Sequence, residues 1–592
     1  MKHKRLLIVA WALLWAPAAM AGPRVEVEIS GLDKALQENV RAHLAIAQLV
    51  EQSGLIPFIP GAPEQPVLAV TENNVRRLHR QAKGEIRGAL QPFGYYEPVI
   101  DARLDHDGDT WRAVYHIDTG PATRIEQFDI QISGAGHADE RILSARQASQ
   151  LQPGKQLLHS DYETTKQALL QAALAAGYLD ARYERAELRI FKAQRHARIH
   201  LLLDTGPRYF FGQISIEQNI LDPDFVQQFV HIKQGEPFNT DALLELQLAL
   251  SDSGYFSRVE IDPQRSAAVD FHVPVVITTE PSKPRRYGVG LGFGTDTGPR
   301  LSLASEFRRI NQRGHGILTD IRLSEILQSV GAQYQIRIGN LVSDRLIFSS
   351  RADFETIADE GSSDRYTLGV SRNEEWGPLQ RRLYMNYQHE NFSLGEDDST
   401  VDFFIPGITL SQLRADDILF PRQGYSWSTD LRGSPGLISD TTFARLDLAG
   451  KLVFPLSERG RLLLRSRLGA ISVQDFSRLP TTERFFAGGD QSVRGYDYQS
   501  LAPEDDSGDV VGGQYLAVGS MELDYLFVGN FGAAVFVDSG NAADDFLPSP
   551  KTGAGIGFRW RSPVGMLRID IAHPFDDSDD NYRLHISIGP TL

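Results

Sequence analysis

The chain has 592 residues, 60 Lys and Arg against 76 Asp and Glu for a net charge of −16, and no cysteine. Absence of cysteine excludes disulfides, thiolate-ligated zinc, iron–sulfur clusters and thiol catalysis. An acidic chain repels phosphate backbones, which argues against nucleic acid as a partner.

Lys2, Lys4 and Arg5 precede a short apolar stretch, Leu6 to Trp15, and Ala19-Met20-Ala21 supplies an A-x-A cleavage pattern. Residues 1–21 read as an export signal with Gly22 as the mature start. The apolar stretch is shorter than the ~20 residues a helical span needs. No later stretch is long and apolar enough for a membrane helix.

The first half repeats itself. Gly94-Tyr95, Gly177-Tyr178 and Gly254-Tyr255 each follow a helical run and precede a strand-like run. A second marker, Asp118-Thr119-Gly120-Pro121, returns as Asp204-Thr205-Gly206-Pro207, with Thr279-Glu280-Pro281 as a weaker third. Two markers recurring in phase at intervals of about 80 residues indicate an array of three units. Their expected extents are 22–120, 121–206 and 207–284.

Within each unit the period changes. Val75, Leu78, Ala82 and Ile86 share one helical face, as do Leu243, Leu246 and Leu250. Each marker glycine suits a helix C-terminus, where a positive φ is needed. Each unit opens on a strand (Val25 to Ile29, Phe128 to Ile132, Phe211 to Ile216) and closes on alternating segments. The order strand, helix, helix, strand, strand predicts an α+β unit with a helix pair on one face of a three-stranded sheet. Asp105-His106-Asp107-Gly108-Asp109 resembles a calcium loop, but lacks the full ligand pattern and reads better as a hairpin turn.

From Arg285 onward alternation replaces helical periodicity. Ala444, Leu446, Leu448, Leu452 and Phe454 share one parity; Arg445, Asp447 and Lys451 share the other. Leu462, Leu464 and Leu468 oppose Arg461, Arg465 and Arg467. A β-sandwich also alternates, but export, strand length and an arginine-rich polar face favour an all-β transmembrane barrel over 285–592, about 16 strands by its length. Gly288, Gly290, Gly292 and Gly294 recur every second residue, as do Gly553, Gly555 and Gly557; this marks glycine-lined strand faces rather than a dinucleotide loop. A first strand without side chains on one face is expected to pair weakly. The acidic run Asp576-Asp577-Ser578-Asp579-Asp580 reads as a solvated loop.

A long connection carries Phe485-Phe486-Ala487-Gly488-Gly489-Asp490 and then Val493-Arg494-Gly495-Tyr496. Connections of this length are functional or disordered. Downstream lie Glu522 in Ser520-Met521-Glu522-Leu523, Asp538 in Phe536-Val537-Asp538-Ser539-Gly540-Asn541, Arg559 after the second glycine series, and Ser562-Pro563-Val564-Gly565 followed by Leu567, Arg568 and Asp570. Together these resemble the outer-membrane assembly factors, barrels preceded by periplasmic POTRA domains, and three POTRA units in this length are most similar to the TamA branch. The closing Ile586-Ser587-Ile588-Gly589-Pro590-Thr591-Leu592 departs from the usual aromatic ending, a departure similar to that of TamA-type chains.

The resemblance implies that the long connection folds into the barrel, where Arg494 meets Asp538 on the thirteenth strand beside Glu522 on the twelfth. A guanidinium fork suits a fixed carboxylate. It further implies a lateral seam between the first and last strands, with Gly288, Gly290 and Gly292 on one side and Gly589 and Leu592 on the other. The partners implied are TamB, an inner-membrane-anchored protein spanning the periplasm, unfolded outer-membrane clients such as autotransporters, and outer-membrane lipid. No cofactor, metal site or enzymatic activity is expected. The alternatives are a passive porin, a two-partner secretion transporter, and a barrel hydrolase in which Asp570, His585 and Ser587 imitate a triad; the last lacks any G-x-S-x-G or H-E-x-x-H motif.

Overall fold

The computed structural model describes residues 24–52, 70–358, 361–436, 438–563, 565–577 and 582–589. The export-signal segment and Leu592 lie outside them. The chain divides into two compact units. One comprises the described residues up to Ile214 with Ile232–Leu243 and Pro263–Val275; the other comprises Ser215–His231, Leu244–Asp262 and the described residues from Val276 on.

The first repeat contains β1 (Arg24–Ser30), α1 (Lys34–His43), α2 (Ala45–Gln52), α3 (Glu72–Leu90), β2 (Val99–Asp107) and β3 (Thr110–Asp118). Its sheet has the order β1-β3-β2, with β3 parallel to β1 and antiparallel to β2. Alternation on β3 buries Trp111, Ala113, Tyr115 and Ile117 against the Val75, Leu78, Ala82 and Ile86 stripe of α3. Asp33 and Thr71 cap α1 and α3 through their side-chain oxygens. The first helical segment is split where Leu44 takes extended backbone between α1 and α2. The acidic segment Asp105–Asp109 turns β2 into β3, and among the described residues no cluster of ligating side chains is arranged to hold a metal.

The second repeat follows as β4 (Arg124–Ser133), α4 (Glu140–Gln147), α5 (His159–Ala175), β5 (Arg182–Phe191) and β6 (His196–Asp204), in sheet order β4-β6-β5. The third is β7 (Phe210–Glu217), α6 (Pro223–Gln227), α7 (Thr240–Asp252), β8 (Phe256–Pro263) and β9 (His272–Pro281), in order β7-β9-β8. The Gly-Tyr markers do more than end helices. The Gly94 carbonyl accepts from Thr123 N at 2.9 Å, the Gly177 carbonyl from Tyr209 N at 2.8 Å, and the Tyr255 carbonyl from Ser282 N at 2.8 Å. Each marker thus receives the strand of chain that leads out of its own repeat.

The barrel is closed and has sixteen strands, paired in sequence order. They are β10 (Arg285–Gly294), β11 (Gly298–Phe307), β12 (Gly316–Leu323), β13 (Leu327–Arg337), β14 (Arg345–Ile357) and β15 (Gly361–Trp376). Next come β16 (Leu379–Leu394), β17 (Asp397–Ala415), β18 (Gly424–Ser434), β19 (Phe443–Pro455) and β20 (Gly460–Val473). The series ends with β21 (Tyr515–Val528), β22 (Phe531–Ala543), β23 (Lys551–Ser562), β24 (Gly565–Pro574) and β25 (Arg583–Gly589). Apolar side chains such as Leu431, Leu452, Leu468 and Val535 are exposed on the outer wall, while Arg445, Arg461, Glu522 and Asp538 are buried inside it. This inversion of the usual globular pattern is what a barrel in lipid requires.

Candidate functional site

The connection between β20 and β21 folds into the lumen instead of extending outward. Leu479, Phe485, Ala487, Val493, Tyr496 and Leu501 bury themselves against wall residues including Phe392, Phe403, Phe443 and Leu516. This apolar contact offsets the entropy of ordering a long loop.

At the loop tip Arg494 is 2% exposed and Asp538 fully buried. Arg494 Nε donates to Asp538 Oδ2 at 2.6 Å and Nη2 to Oδ1 at 3.0 Å, a bidentate pair; the Arg494 backbone N–H adds a third bond to Asp538 at 3.2 Å. Nη1 donates to Glu522 Oε2 at 2.7 Å and to Asp570 Oδ2 at 2.8 Å. The guanidinium carbon lies 3.4 Å from the centre of the Phe536 ring, so a π face covers the side not taken by carboxylates.

One guanidinium cannot neutralise three buried carboxylates. Arg559 on β23 completes the network, reaching Glu522 at 2.8 Å and bonding Asp570. Asp524 is held by Arg461 at 2.8 Å, and Arg465 stands 3.7 Å from Asp538. Arg494, Arg559, Arg461 and Arg465 thus surround Glu522, Asp524, Asp538 and Asp570, and pairing of this kind is the condition under which buried charge is tolerated.

The second glycine series explains how the tip fits. A Cβ at Gly553 would overlap the Arg494 carbonyl oxygen, and one at Gly557 would overlap the Asp570 carboxylate. The bare face of β23 is the seat of the loop. Gly495 itself has φ of 104°, which an L side chain adopts only with strain, and its N–H donates to His585 Nε2 on β25 at 3.0 Å. The Tyr496 hydroxyl donates to the Thr552 carbonyl and accepts from Asp576 N, both at 3.2 Å. Val493 is fully buried.

The loop is braced on the opposite wall as well, by residues that sequence reasoning missed. Glu390 on β16 accepts from Thr481 at 3.1 Å, Thr482 at 2.8 Å and Ser363 at 3.0 Å. Glu483 pairs with Arg445 and Arg432, each at 2.9 Å. Arg484 reaches Asp397 at 2.8 Å and the Leu479 and Val511 carbonyls at 3.0 Å. The available signal was a cluster of charged and hydroxyl side chains just upstream of the aromatic–glycine run. Beyond this brace a polar cavity of about 590 Å³ remains, lined in part by Arg322, Arg351, Asp353, Arg365 and Arg432.

The seam lies beside the lock. β10 pairs with β11 along all ten of its residues, but among the described residues it meets β25 only at Gly294–Ser587. Thr295 N to Ile586 O and Ile586 N to Thr295 Oγ1, both 3.2 Å, extend this contact toward the turn. Gly288, Gly290 and Gly292 have no partner on β25 among the described residues; Gly589 pairs with Met566 on β24. On the lipid side, Tyr287, Val289, Leu291 and Phe293 project from the same strand. The loop also touches the β10–β11 turn, where Asp490 N donates to Asp296 Oδ2 at 2.6 Å. Burial, and then the facing carboxylate of Asp296, push the Asp490 carboxyl up to about 7.

Three α+β units ahead of a sixteen-stranded barrel that holds its own loop in the lumen define a POTRA-bearing barrel. Residues 285–592 match the Omp85 superfamily domain, residues 26–119 match POTRA domain TamA domain 1, and residues 209–278 match the surface antigen variable number repeat, a POTRA description. The chain belongs to the Omp85 superfamily. It is 24% identical over 608 residues to the outer membrane protein assembly factor BamA of Nitratidesulfovibrio vulgaris, across 95% of this chain and 72% of that protein. It is 28% identical over 411 residues to BamA of Neorickettsia risticii, across 62% of this chain and 52% of that one. The crystal structure of BamA from Haemophilus ducreyi lacking POTRA domains 1–3 shares the fold, with a TM-score of 0.68 at 15% identity over 79% of this chain and all of that one. The barrel lies in the outer membrane and the POTRA domains in the periplasm.

Proposed function

We propose that this chain is an outer-membrane assembly and translocation factor that admits client strands at the seam between β10 and β25. The observation that carries the reading is the contrast, among the described residues, between ten paired residues on one edge of β10 and a single pair on the other. An unpaired strand edge is a template for another strand, and in lipid every unsatisfied backbone group is costly. An incoming β-segment pairing there satisfies both edges at once. Val493 to Tyr496, with Glu522 and Asp538, form the lock that holds the loop beside this seam. The role is assembly, not catalysis: the Asp570 oxygens that a triad would require are taken by Arg494 and Arg559.

The finer reading is a TamA-type subunit working with TamB across the periplasm on autotransporters and related clients, with outer-membrane lipid as its surroundings. Three βααββ units and the TamA-type match of residues 26–119 support it. It includes export directed by residues 1–21 and the domain extents 22–120, 121–206, 207–284 and 285–592. A passive porin fits poorly with a loop braced on opposite walls of the lumen.

The chain has no cysteine, so a seam disulfide can be introduced cleanly. Gly292→Cys with Gly589→Cys extends the Gly294–Ser587 register by two residues on each strand. The oxidised protein is expected to lose client insertion into vesicles and to regain it on reduction. Full insertion by the oxidised form overturns the seam mechanism.

A further inference from the structure

His585 is 4% exposed on the seam strand β25, opposite Asp570 on β24. Its Nε2 accepts the Gly495 N–H. A ring nitrogen that accepts carries no proton, so this imidazole is neutral with its hydrogen on Nδ1. Nδ1 faces Asp296 Oδ1 across 3.8 Å, beyond hydrogen-bond distance. The charged groups facing the ring are Asp296 from the β10–β11 turn, Arg494 from the loop, Asp570 from β24 and Asp538 from β22. Asp490 of the loop stands behind Asp296. His585 is thus the side chain at which the loop, the last strand and the first hairpin meet.

We propose that His585 is a positioning residue that ties the loop to the seam strand while neutral and releases it when protonated. A hydrogen on Nε2 would meet the Gly495 N–H donor to donor, and the bond is lost. The charged ring then has the Asp296 carboxylate within reach, so protonation exchanges a loop contact for a contact with the first hairpin. Acidification is therefore the trigger. Protonation of Asp490 acts in the opposite sense, by easing its repulsion from Asp296. The inference rests on the loop and the seam being the working parts proposed above.

Spin labels at Gln491→Cys, exposed on the loop beside the motif, and Leu431→Cys, exposed on β18, report the loop position in the full-length protein. Double electron–electron resonance at about pH 7.5 and about pH 4.5 puts the lower point beneath the ordinary imidazole range. With native His585, a displaced-loop population is expected to grow several-fold at the lower pH. His585→Gln, whose amide oxygen still accepts from Gly495 and does not titrate, is expected to keep the docked distance at both. His585→Leu is expected to show the displaced population at both. Unchanged distances with native His585 overturn the proposal, as does a His585→Gln protein that responds to pH like the native one, which would place the response at a group other than His585. Client insertion by Arg494→Ala reads the assembly role separately: normal insertion defeats that role whatever the distances show.

Discussion

Asp538 accepts three hydrogen bonds from Arg494, two from the guanidinium and one from the backbone N–H of the same residue. The carboxylate therefore fixes both the side chain and the course of the loop. Removing one member of such a buried pair leaves an uncompensated charge, at a cost of ~3–5 kcal/mol. Arg494→Ala and Asp538→Ala are each expected to leave the barrel inserted, to free the loop and to lower client assembly. The double variant is expected to be no worse than either alone, because the two share one interaction. Assembly assays on the three variants and trypsin cleavage of the loop check this.

Gly553→Ala tests the seat rather than the lock. The added methyl group overlaps the Arg494 carbonyl oxygen. Forced overpacking costs about 1–3 kcal/mol. Loop cleavage is expected to rise toward the Arg494→Ala level with all charged residues intact. Native protease resistance in Gly553→Ala would mean that the tip has room to spare.

The far brace makes a separate prediction. Glu390→Ala leaves Thr481, Thr482 and Ser363 without their common acceptor. Buried hydroxyls that lose their partner cost about 1–3 kcal/mol. The loop base is expected to become cleavable at Arg484 while the Arg494 contacts persist. Cleavage mapping by mass spectrometry separates the two sites.

Asp490 predicts a pH dependence of stability. Its carboxyl is raised to about 7 from an ordinary 3.8, so the folded state holds the proton more tightly than the unfolded chain. Its contribution to stability is present at low pH, declines as pH rises through the interval between these values, and is flat above it. Asp490→Asn removes this slope. Its gain in Tm over the native protein is expected to be larger at about pH 8 than at about pH 5. Equal shifts at the two would place Asp490 in water rather than against Asp296.

Much of this protein is legible in one dimension. A recurring Gly-Tyr after a helical run marks three repeats, and period-two alternation from Arg285 marks a barrel. The inward facing of Glu522 and Asp538 follows from parity, because strand side chains alternate strictly between faces. Parity states the face but not the level along the wall. Which residues meet across β21 to β25 depends on the register of each strand pair, and register is set by contacts across the sheet. Spacing marks β23 as a strand with one glycine-lined face open to bends or close backbone approach, but only the structure shows that the Arg494 backbone is what approaches it. Register is also why Asp570 and His585 resembled a hydrolytic pair, when one is held by two arginines and the other accepts from Gly495. The brace through Glu390, Glu483 and Arg484 joins residues far apart in the chain that only closure of the cylinder brings together. Local sequence determined the elements, their inward faces and the family; closure of the barrel and the path of its loop decided which buried charges meet, because an ion pair forms only where distance and desolvation permit.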